Sequence, residues 1–395
     1  MSLIVQKFGG TSLDTAEHRL LAAEKIKQTI ENGNMPVVIV SAMGRKGMPY
    51  ATDTLLNLAR KDSVDICGRE SDMLCSCGEV ISAVAMVQTL KSLQIEAASL
   101  TGAQAGIITD ENYCRSNILK IIPNKINEIL KKKKVPVIAG FQGSSENGEI
   151  TTFGRGGSDT SASIIAAALN AELIEIFTDV KGVMTADPQV VKTAQLLEKA
   201  DYSEILEMAN EGARVVHPRA IEVAAAVKIP LKIRSNFDNA AGTLVTNFKP
   251  DKIISAVTSR DDIVFIKLEN NGQQNLQIFS LLAKKGISAD FIDIIPEQIT
   301  FVIDRENKKV AIELLQNLPN TIEERLSKVS VIGAGMTGIP GVMAKIIEIL
   351  QKNGIKIYQA TDSHTTISCL IAKKDKNRAV KALHSAFCIE MEDSE

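Results

Sequence analysis

Apolar positions along the 395-residue chain follow two different rhythms. Up to about residue 248, short and nearly continuous Val/Ile-rich runs alternate with segments of helical period. The pattern predicts strands at 3–8, 36–40, 95–100, 135–141, 173–178 and 231–234, and helices at 16–31, 53–59, 71–90, 159–169 and 218–226. Strands that are apolar on both faces are covered on both faces, which means a mainly parallel sheet between helical layers. Four lysines at 131–134, just ahead of a strand, read as a solvated helix end.

Beyond 248 the order is strand 263–268, helix 276–285, strands 287–294 and 298–304, helix 308–318. It then recurs as strand 328–332, helix 341–351, strands 355–360 and 365–372, helix 377–387. Two β-α-β-β-α units in tandem form an internal repeat, each one strand short of a ferredoxin-like unit. Only the mostly acidic stretch 388–395 follows the second unit. Its last strand is therefore expected from 253–259, folding back from ahead of the first unit and intertwining the two. The expected domains are 1–248, 253–327 and 328–395.

Composition narrows the function by exclusion. Lys and Arg number 45 against 47 Asp and Glu, a net charge of −2, without the basic surplus of a nucleic-acid binder. Trp is absent and aromatics make up 4%, which leaves little to stack bases or sugars on. No uninterrupted apolar run nears the roughly 20 residues of a membrane helix, and Met-Ser-Leu-Ile-Val-Gln-Lys is unlike a leader peptide. Six cysteines in so long a chain are no disulfide framework, and neither a His nor a second close Cys pair joins Cys67, Cys75 and Cys77 into a zinc set. Free thiols and a cytoplasmic location are expected.

Three clusters carry candidate chemistry. Lys7-Phe8-Gly9-Gly10-Thr11-Ser12 follows the first strand, where glycines let backbone N–H groups close on phosphate oxygens and Lys7 adds a full charge. It is not a Walker A loop, which needs Gly-x4-Gly-Lys-Ser/Thr, and in isolation a Gly-Gly turn after a strand is usually only a turn. Residues 151–161 place three glycines and Arg155 ahead of a small-residue helix opened by Ser158 and Asp159. Capping has no use for that Arg, which can clamp a carboxylate bidentately. In 178–188, Asp179 and Asp187 flank a turn suited to a nucleotide edge or to water-bridged Mg²⁺, or to nothing but a loop. Glu79, on a predicted helix, is a candidate partner for a substrate ammonium. Gly333-Ala334-Gly335-Met336-Thr337-Gly338 matches the dinucleotide fingerprint, yet no second parallel βαβ half follows it, which argues against NAD.

Taken in order, 7–12, Val40-Ser41-Ala42-Met43-Gly44, Gly78-Glu79, Phe141-Gln142-Gly143, 153–161, 177–188, Lys232-Ile233-Arg234-Ser235 and Gly242-Thr243-Leu244 resemble the aspartokinases of the amino-acid-kinase superfamily. The tandem repeat resembles that family's paired ACT regulatory domains, with 333–342 like the opening of the second. Residues 45–55 and 361–366 look most like the diaminopimelate-sensitive bacterial subclass. The resemblance implies an α/β chain with a three-layer αβα amino-acid-kinase fold and mainly parallel sheet, followed by two ferredoxin-like ACT domains. It implies transfer of a phosphoryl group from MgATP to the side-chain carboxylate of L-aspartate, giving 4-phospho-L-aspartate and ADP. That step opens the routes to lysine, threonine, methionine and diaminopimelate.

By the same resemblance Lys7 neutralises the transferring group, with Phe8, Gly9, Gly10 and Ser12 around the phosphates and Asp159 orienting Lys7. Arg155 grips the substrate α-carboxylate and Glu79 its ammonium, with Ser41, Thr52, Gly157 and Ser158 completing the pocket. Thr178, Asp179, Met184, Asp187, Arg234 and Ser235 line the nucleotide, and no metal is ligated directly by protein. Lys181 and Gln189 depart from the family's common Asp and Arg, and the Met48–Tyr50 stretch is longer than in some relatives. A homodimer joined through the ACT repeats, with an effector amino acid (diaminopimelate, or lysine or threonine) at the seam, is expected. The strand-helix turn at Pro340-Gly341 would offer it backbone N–H groups from Gly341 onward, and Asp290, Asp293 and Asp362 carboxylates. A catalytically silent amino-acid sensor and a kinase acting on glutamate or acetylglutamate are the alternatives, separable by an ADP-release assay.

Overall fold

The computed structural model describes residues 1–59, 66, 68–213, 215–248, 252–269, 274–315, 320–336 and 338–389. Cys67, Thr337 of the fingerprint, the predicted helix end at 316–318 and the acidic end from Glu390 lie outside the described residues. By internal contacts the chain forms two units. One is Met1–Val183, Leu196–Ala209 and Arg214–Phe248; the other is Met184–Gln195, Asn210–Ala213 and Lys249–Glu395.

The first unit contains strands β1 (Leu3–Phe8), β2 (Met35–Val40), β3 (Ala97–Leu100), β4 (Ile107–Thr109), β5 (Ile118–Ile121), β6 (Val135–Ala139), β7 (Gln142–Ser145), β8 (Ile150–Thr152), β9 (Leu173–Thr178), β10 (Lys199–Asp201), β11 (Leu231–Ser235) and β12 (Thr243–Thr246). Its helices are α1 (Ala16–Glu31), α2 (Thr52–Ala59), α3 (Gly68–Ser92), α4 (Asn124–Lys131), α5 (Gly157–Leu169), α6 (Tyr202–Asn210) and α7 (Pro218–Val227). Eight strands form one sheet in the order β10-β12-β11-β9-β1-β2-β6-β3, parallel throughout except where β11 meets β12. Phe8, Val38, Val40, Val137 and Ala139 join the core under α1 and α3, with Ala22, Ile26, Met86 and Leu90. Strand alternation turns Lys7 and Ile39 to the opposite face, where α5 packs on β1 and α7 on α5. The result is the αβα layering expected of two-faced apolar strands.

The β6 run ends at Ala139, earlier than its apolar pattern suggests. Phe141 takes a left-handed φ of +68°, and its N–H donates to Ser161 Oγ at 2.9 Å. The chain turns there into a second sheet of order β5-β4-β7-β8, whose strands of three or four residues are too short to carry a periodicity. Of the lysines at 131–134, Lys131 ends α4 and the other three follow it. Helix α3 is 25 residues long and apolar enough to cross a membrane by length and composition. The reading of uninterrupted apolar runs misses it because Asp72 and Glu79 interrupt the run. Both are buried against protein partners, and half of the apolar window is buried inside the fold, as in a core helix.

The second unit holds β13 (Ala256–Arg260), β14 (Ile263–Glu269), β15 (Asp290–Ile295), β16 (Gln298–Asp304), β17 (Asn320–Glu323), β18 (Leu326–Ile332), β19 (Ile357–Asp362) and β20 (Thr366–Ala372), with α8 (Gln274–Lys284), α9 (Lys308–Leu315), α10 (Val342–Lys352) and α11 (Lys376–His384). Two antiparallel four-stranded sheets result, β15-β16-β14-β17 and β13-β18-β20-β19. β13 precedes the first sheet in sequence and pairs with β18 of the second, Ala256 opposite Ile332. The chain entering β13 explains the first two fingerprint glycines. A Cβ on Gly333 would stand 2.1 Å from the Ile253 carbonyl oxygen, and one on Gly335 2.7 Å from that of Lys252. Close approach of two backbones, in an antiparallel sheet, is what these glycines serve.

Candidate active site

β1 connects onward to β2 on one side and its other neighbour β9 connects onward to β10 and β11 on the far side, so the two connections diverge between β1 and β9, the arrangement that opens a ligand crevice at the carboxyl ends of parallel strands. Lys7 stands at that end of β1, in register with Ile39 and Ile176. The turn after it is fixed by backbone: Gly9 N–H donates to Phe177 O at 3.2 Å, Ser41 N–H to Phe8 O at 3.1 Å and Gly44 N–H to Gly10 O at 3.1 Å. A methyl on Gly10 would sit 2.5 Å from Ala42 O, whereas one on Gly9 has ordinary room and would stand 3.7 Å from Lys7 Nζ. Gly10→Ala is therefore expected to force the two loops apart and lower kcat/KM by about 10²-fold, since misplacement by an ångström costs that much. Gly9→Ala should fold with an unchanged melting temperature; steady-state kinetics and a thermal melt on both variants check the contrast.

Lys7 Nζ lies 2.6 Å from Asp159 Oδ1, with both side chains about 11% exposed. Asp159 belongs to the first turn of α5, and its Oδ2 accepts from the His217 N–H at 3.2 Å. Gly156, the residue before α5, has φ +68°, and a Cβ there would lie 2.1 Å from the His217 ring. Only glycine fits, so helix start and imidazole close on each other. Burial keeps His217 below the ordinary histidine value.

These groups border a cavity of about 480 Å³ lined by Lys7, Ser41, Thr52, Glu79, Arg155, Gly157, Ser158 and Asp159, together with Leu56, Asp72, Cys75, Cys114, Phe141 and Thr152. Glu79 is 3% exposed. Its Oε1 accepts from the Ala42 N–H at 3.2 Å, while its buried Oε2 has no hydrogen-bond partner among the described residues. Desolvation pushes its carboxyl up to about 8. A buried carboxylate oxygen left open in a cavity is matched by an incoming cation, which would pull that value back down. Cys75 is buried, and desolvation first, then Glu79, raises its thiol to about 11, so it stays protonated.

The cavity gathers one group of the sequence-derived residues and leaves another apart. Thr178, Asp179, Arg234 and Ser235 stand at the neighbouring ends of β9 and β11, where Ser235 is in register with Thr178. Asp179 pairs with Arg45 of the loop after β2. Arg234 donates to Glu175 Oε1 at 3.1 Å and lies over the Phe177 ring. The Phe8 ring is wholly buried and stacks on Phe177 with centroids 4.7 Å apart, so only its backbone can face a ligand. The buried Ser12 Oγ has no hydrogen-bond partner among the described residues. Met184 and Asp187 lie in the excursion that packs within the second unit, where Asp187 caps its own turn by accepting from the Gln189 N–H. Residues missed from sequence include Asp72, His217 and Arg45. The His-Pro pair that opens α7 and the seven-residue spacing of Asp72 from Glu79, two helical turns on one face, were the available signals.

The model of the amino acid kinase family matches residues 2–235, and that of the ACT domain residues 321–385. This defines the class: a small-molecule kinase unit followed by a regulatory ACT unit. Aspartokinase 1 of Bacillus subtilis (strain 168) is 44% identical over 400 residues, covering 98% of this chain and 99% of its own. The aspartokinase of Corynebacterium glutamicum is 37% identical over 416 residues, covering 100% and 98%. Escherichia coli aspartokinase III, solved with aspartate and ADP in its R-state, superposes with a TM-score of 0.81 at 24% identity, over 97% of this chain and 99% of that one, a likeness of fold. The chain belongs to the aspartokinase family and is an enzyme, a phosphotransferase with a carboxyl-group acceptor.

Proposed function

We propose that the cavity binds L-aspartate and that the enzyme transfers the γ-phosphoryl group of MgATP to its side-chain carboxylate, giving 4-phospho-L-aspartate and ADP. The observation that carries this reading is the open Oε2 of buried Glu79 in the same cavity as Lys7 and Arg155. Glu79 takes the ammonium and Arg155 the α-carboxylate, with Ser41, Thr52 and the α5 turn Gly157-Ser158 around them, which aims the second carboxylate at Lys7. That carboxylate is already a nucleophile at neutral pH, so the reaction requires no general base. The work is positioning and charge neutralisation. Asp159 holds Lys7 at the strand end, and the N-terminal turn of α5 turns its dipole to the same place.

The ATP phosphates follow the Gly9-Gly10 turn and the buried Ser12 hydroxyl, with Thr178, Asp179, Arg234 and Ser235 on the nucleotide side. No group of three metal-ligating side chains occurs among the described residues. The donors near the strand ends, Thr178 and Asp179, suit a Mg²⁺ carried mainly by phosphate oxygens and water. When bound, it would supply charge neutralisation on the phosphates.

ADP release with L-aspartate and MgATP, with trapping of the acyl phosphate by hydroxylamine, tests the reaction. Turnover with glutamate or acetylglutamate in its place would overturn it, and silence with all three would favour a sensor. Arg155→Lys is expected to raise the aspartate KM about tenfold or more, because Lys keeps the charge and loses the fork. A rise in the ATP KM alone would assign Arg155 to the other substrate.

The ACT unit supports feedback inhibition in a cytoplasmic amino-acid pathway leading to lysine, threonine and diaminopimelate. The outer strands β15 and β19 present exposed Ile292, Ile294 and Tyr358, which supports a homodimer through these sheets. Asp290 is engaged, 2.6 Å from Lys328 Nζ, so the ammonium of an effector falls to exposed Asp293 or Asp362. Gly341, at a left-handed φ before α10, borders a separate cavity with Ile254, Lys345 and Phe387. Diaminopimelate is the first choice, lysine the second, threonine the third. Inhibition should require a higher effector concentration in Asp293→Ala or Asp362→Ala at unchanged uninhibited kcat. Indifference of the wild type to all three, singly and in pairs, would remove the regulatory reading.

A further inference from the structure

We infer that Asp72 is a positioning residue that sets the distance between the two ends of the substrate site, and with it the preference for aspartate over its longer homologue. The inference rests on the assignment of Glu79 and Arg155 above. Asp72 is 1% exposed and borders the cavity, but both of its oxygens are taken. Oδ2 accepts from the Thr152 N–H at 2.8 Å and Oδ1 from the Thr152 hydroxyl at 2.7 Å. The Cys114 N–H reaches both oxygens, at 3.0 and 2.9 Å. Asp72 has no lone pair to spare for a ligand in this geometry, so it acts through the groups it holds.

What it holds is the frame of the site. Asp72 and Glu79 share one face of α3, about 10 Å apart along the axis. Thr152 ends β8, and Arg155 stands three residues further on in the loop to α5. Asp72 thus ties the helix that carries the ammonium site to the strand that leads into the carboxylate site. Two other ties run along the same stripe of α3. Ser76 O accepts from Gln142 Nε2 at 2.9 Å, and Arg69 grips Glu149 in the β7–β8 turn at 2.7 and 3.3 Å. Of these, Asp72 alone is a buried charge with three donors. Cys114 also has a left-handed φ of +66°, a strained backbone that persists only where its surroundings hold it; both Asp72 oxygens on its N–H do so.

A substrate anchored at its α-carbon by two fixed groups presents its side-chain carboxylate at one reach. One extra methylene overshoots, and a rigid site discriminates such a homologue by roughly 10–200-fold. Asp72→Asn keeps the volume but turns an NH2 toward N–H donors. It is expected to raise the aspartate KM by roughly 10–30-fold while the ATP KM changes by less than about twofold, and to narrow the ratio of kcat/KM for aspartate over glutamate. Thr152→Val, which removes one donor and keeps the backbone contact, should do the same more weakly and guards against a fold that fails in Asp72→Asn.

The deciding measurement is a double-mutant cycle with Arg155→Lys. If Asp72 works by placing Arg155, its replacement costs much less once the fork is gone, whereas independent effects multiply. Multiplying effects, or equal rises in the KM of both substrates, would overturn the positioning role. An unchanged aspartate KM in Arg155→Lys alone would instead overturn the site assignment on which it rests.

Discussion

Lys7→Ala is expected to lower kcat by roughly 10²–10³-fold while the aspartate affinity changes by less than about threefold, the loss that follows removal of one group placed on developing transition-state charge. Lys7 is the last residue but one of β1, two residues before a glycine whose missing Cβ leaves room at its ammonium. Its buried partner Asp159 fixes it there at 2.6 Å. The same substitution strands Asp159 in the core with only the His217 N–H, so the melting temperature should fall as well. Single-turnover kinetics and direct aspartate binding separate the two effects. Near-normal turnover would take Lys7 out of the catalytic machinery, and a large loss of aspartate affinity would mean that it binds the ground state.

Glu79→Gln should raise the aspartate KM by at least about 30-fold, the cost of leaving an ammonium without its buried counter-charge. Its pH behaviour gives a second, independent sign. The native carboxyl is raised to about 8 by desolvation, from an ordinary 4.5. Below about 4.5 it is protonated whether the chain is folded or not. Between 4.5 and 8 the unfolded chain ionises while the fold keeps its proton. The stability that neutral Glu79 contributes is therefore lost as pH rises through that window. Unliganded Glu79→Gln is thus expected to melt several degrees above wild type at pH 8, with the difference vanishing toward pH 4.5. Binding runs the other way. The ammonium needs the anion, so wild-type kcat/KM for aspartate should climb with pH and level off near 8, and the Gln variant should lack that limb. A profile flat in both proteins would show that Glu79 does not face the ammonium.

The site was legible where its chemistry is local. The Gly9-Gly10 turn declares itself by following a β run, and α5 declares its start through Gly157, Ser158 and Asp159 after a glycine loop. Lys7 and Arg155 stand out because neither turn nor cap has a use for their charge. Asp72 is the counter-example. In sequence it is one acid on a helix among several, and its function depends on two N–H groups and a hydroxyl supplied from 42 and 80 residues away. His217 is similar: its weight comes from Gly156, which has no side chain to clash with it. Met184 and Asp187 follow β9 directly, yet the chain carries them into the second unit, and no local pattern marks where that departure begins.

By itself the sequence determined the alternation of buried strands with helices, the tandem repeat and the two glycine turns, because each depends on side-chain periodicity or on residues adjacent in the chain. It also carried the family, through motifs that occur in order along nearly its whole length. Tertiary structure alone decided which charges are buried and which of their atoms remain open: Glu79 with a free oxygen, Asp72 with none, Asp290 already paired with Lys328. It decided that the Phe8 ring faces the core, that the three- and four-residue strands β4, β5, β7 and β8 make a sheet, and that β17 completes the first ACT sheet while β13 pairs into the second. Each of these rests on a partner distant in sequence. Periodicity reports the face a residue prefers, but burial and pairing are set by what the fold places against it.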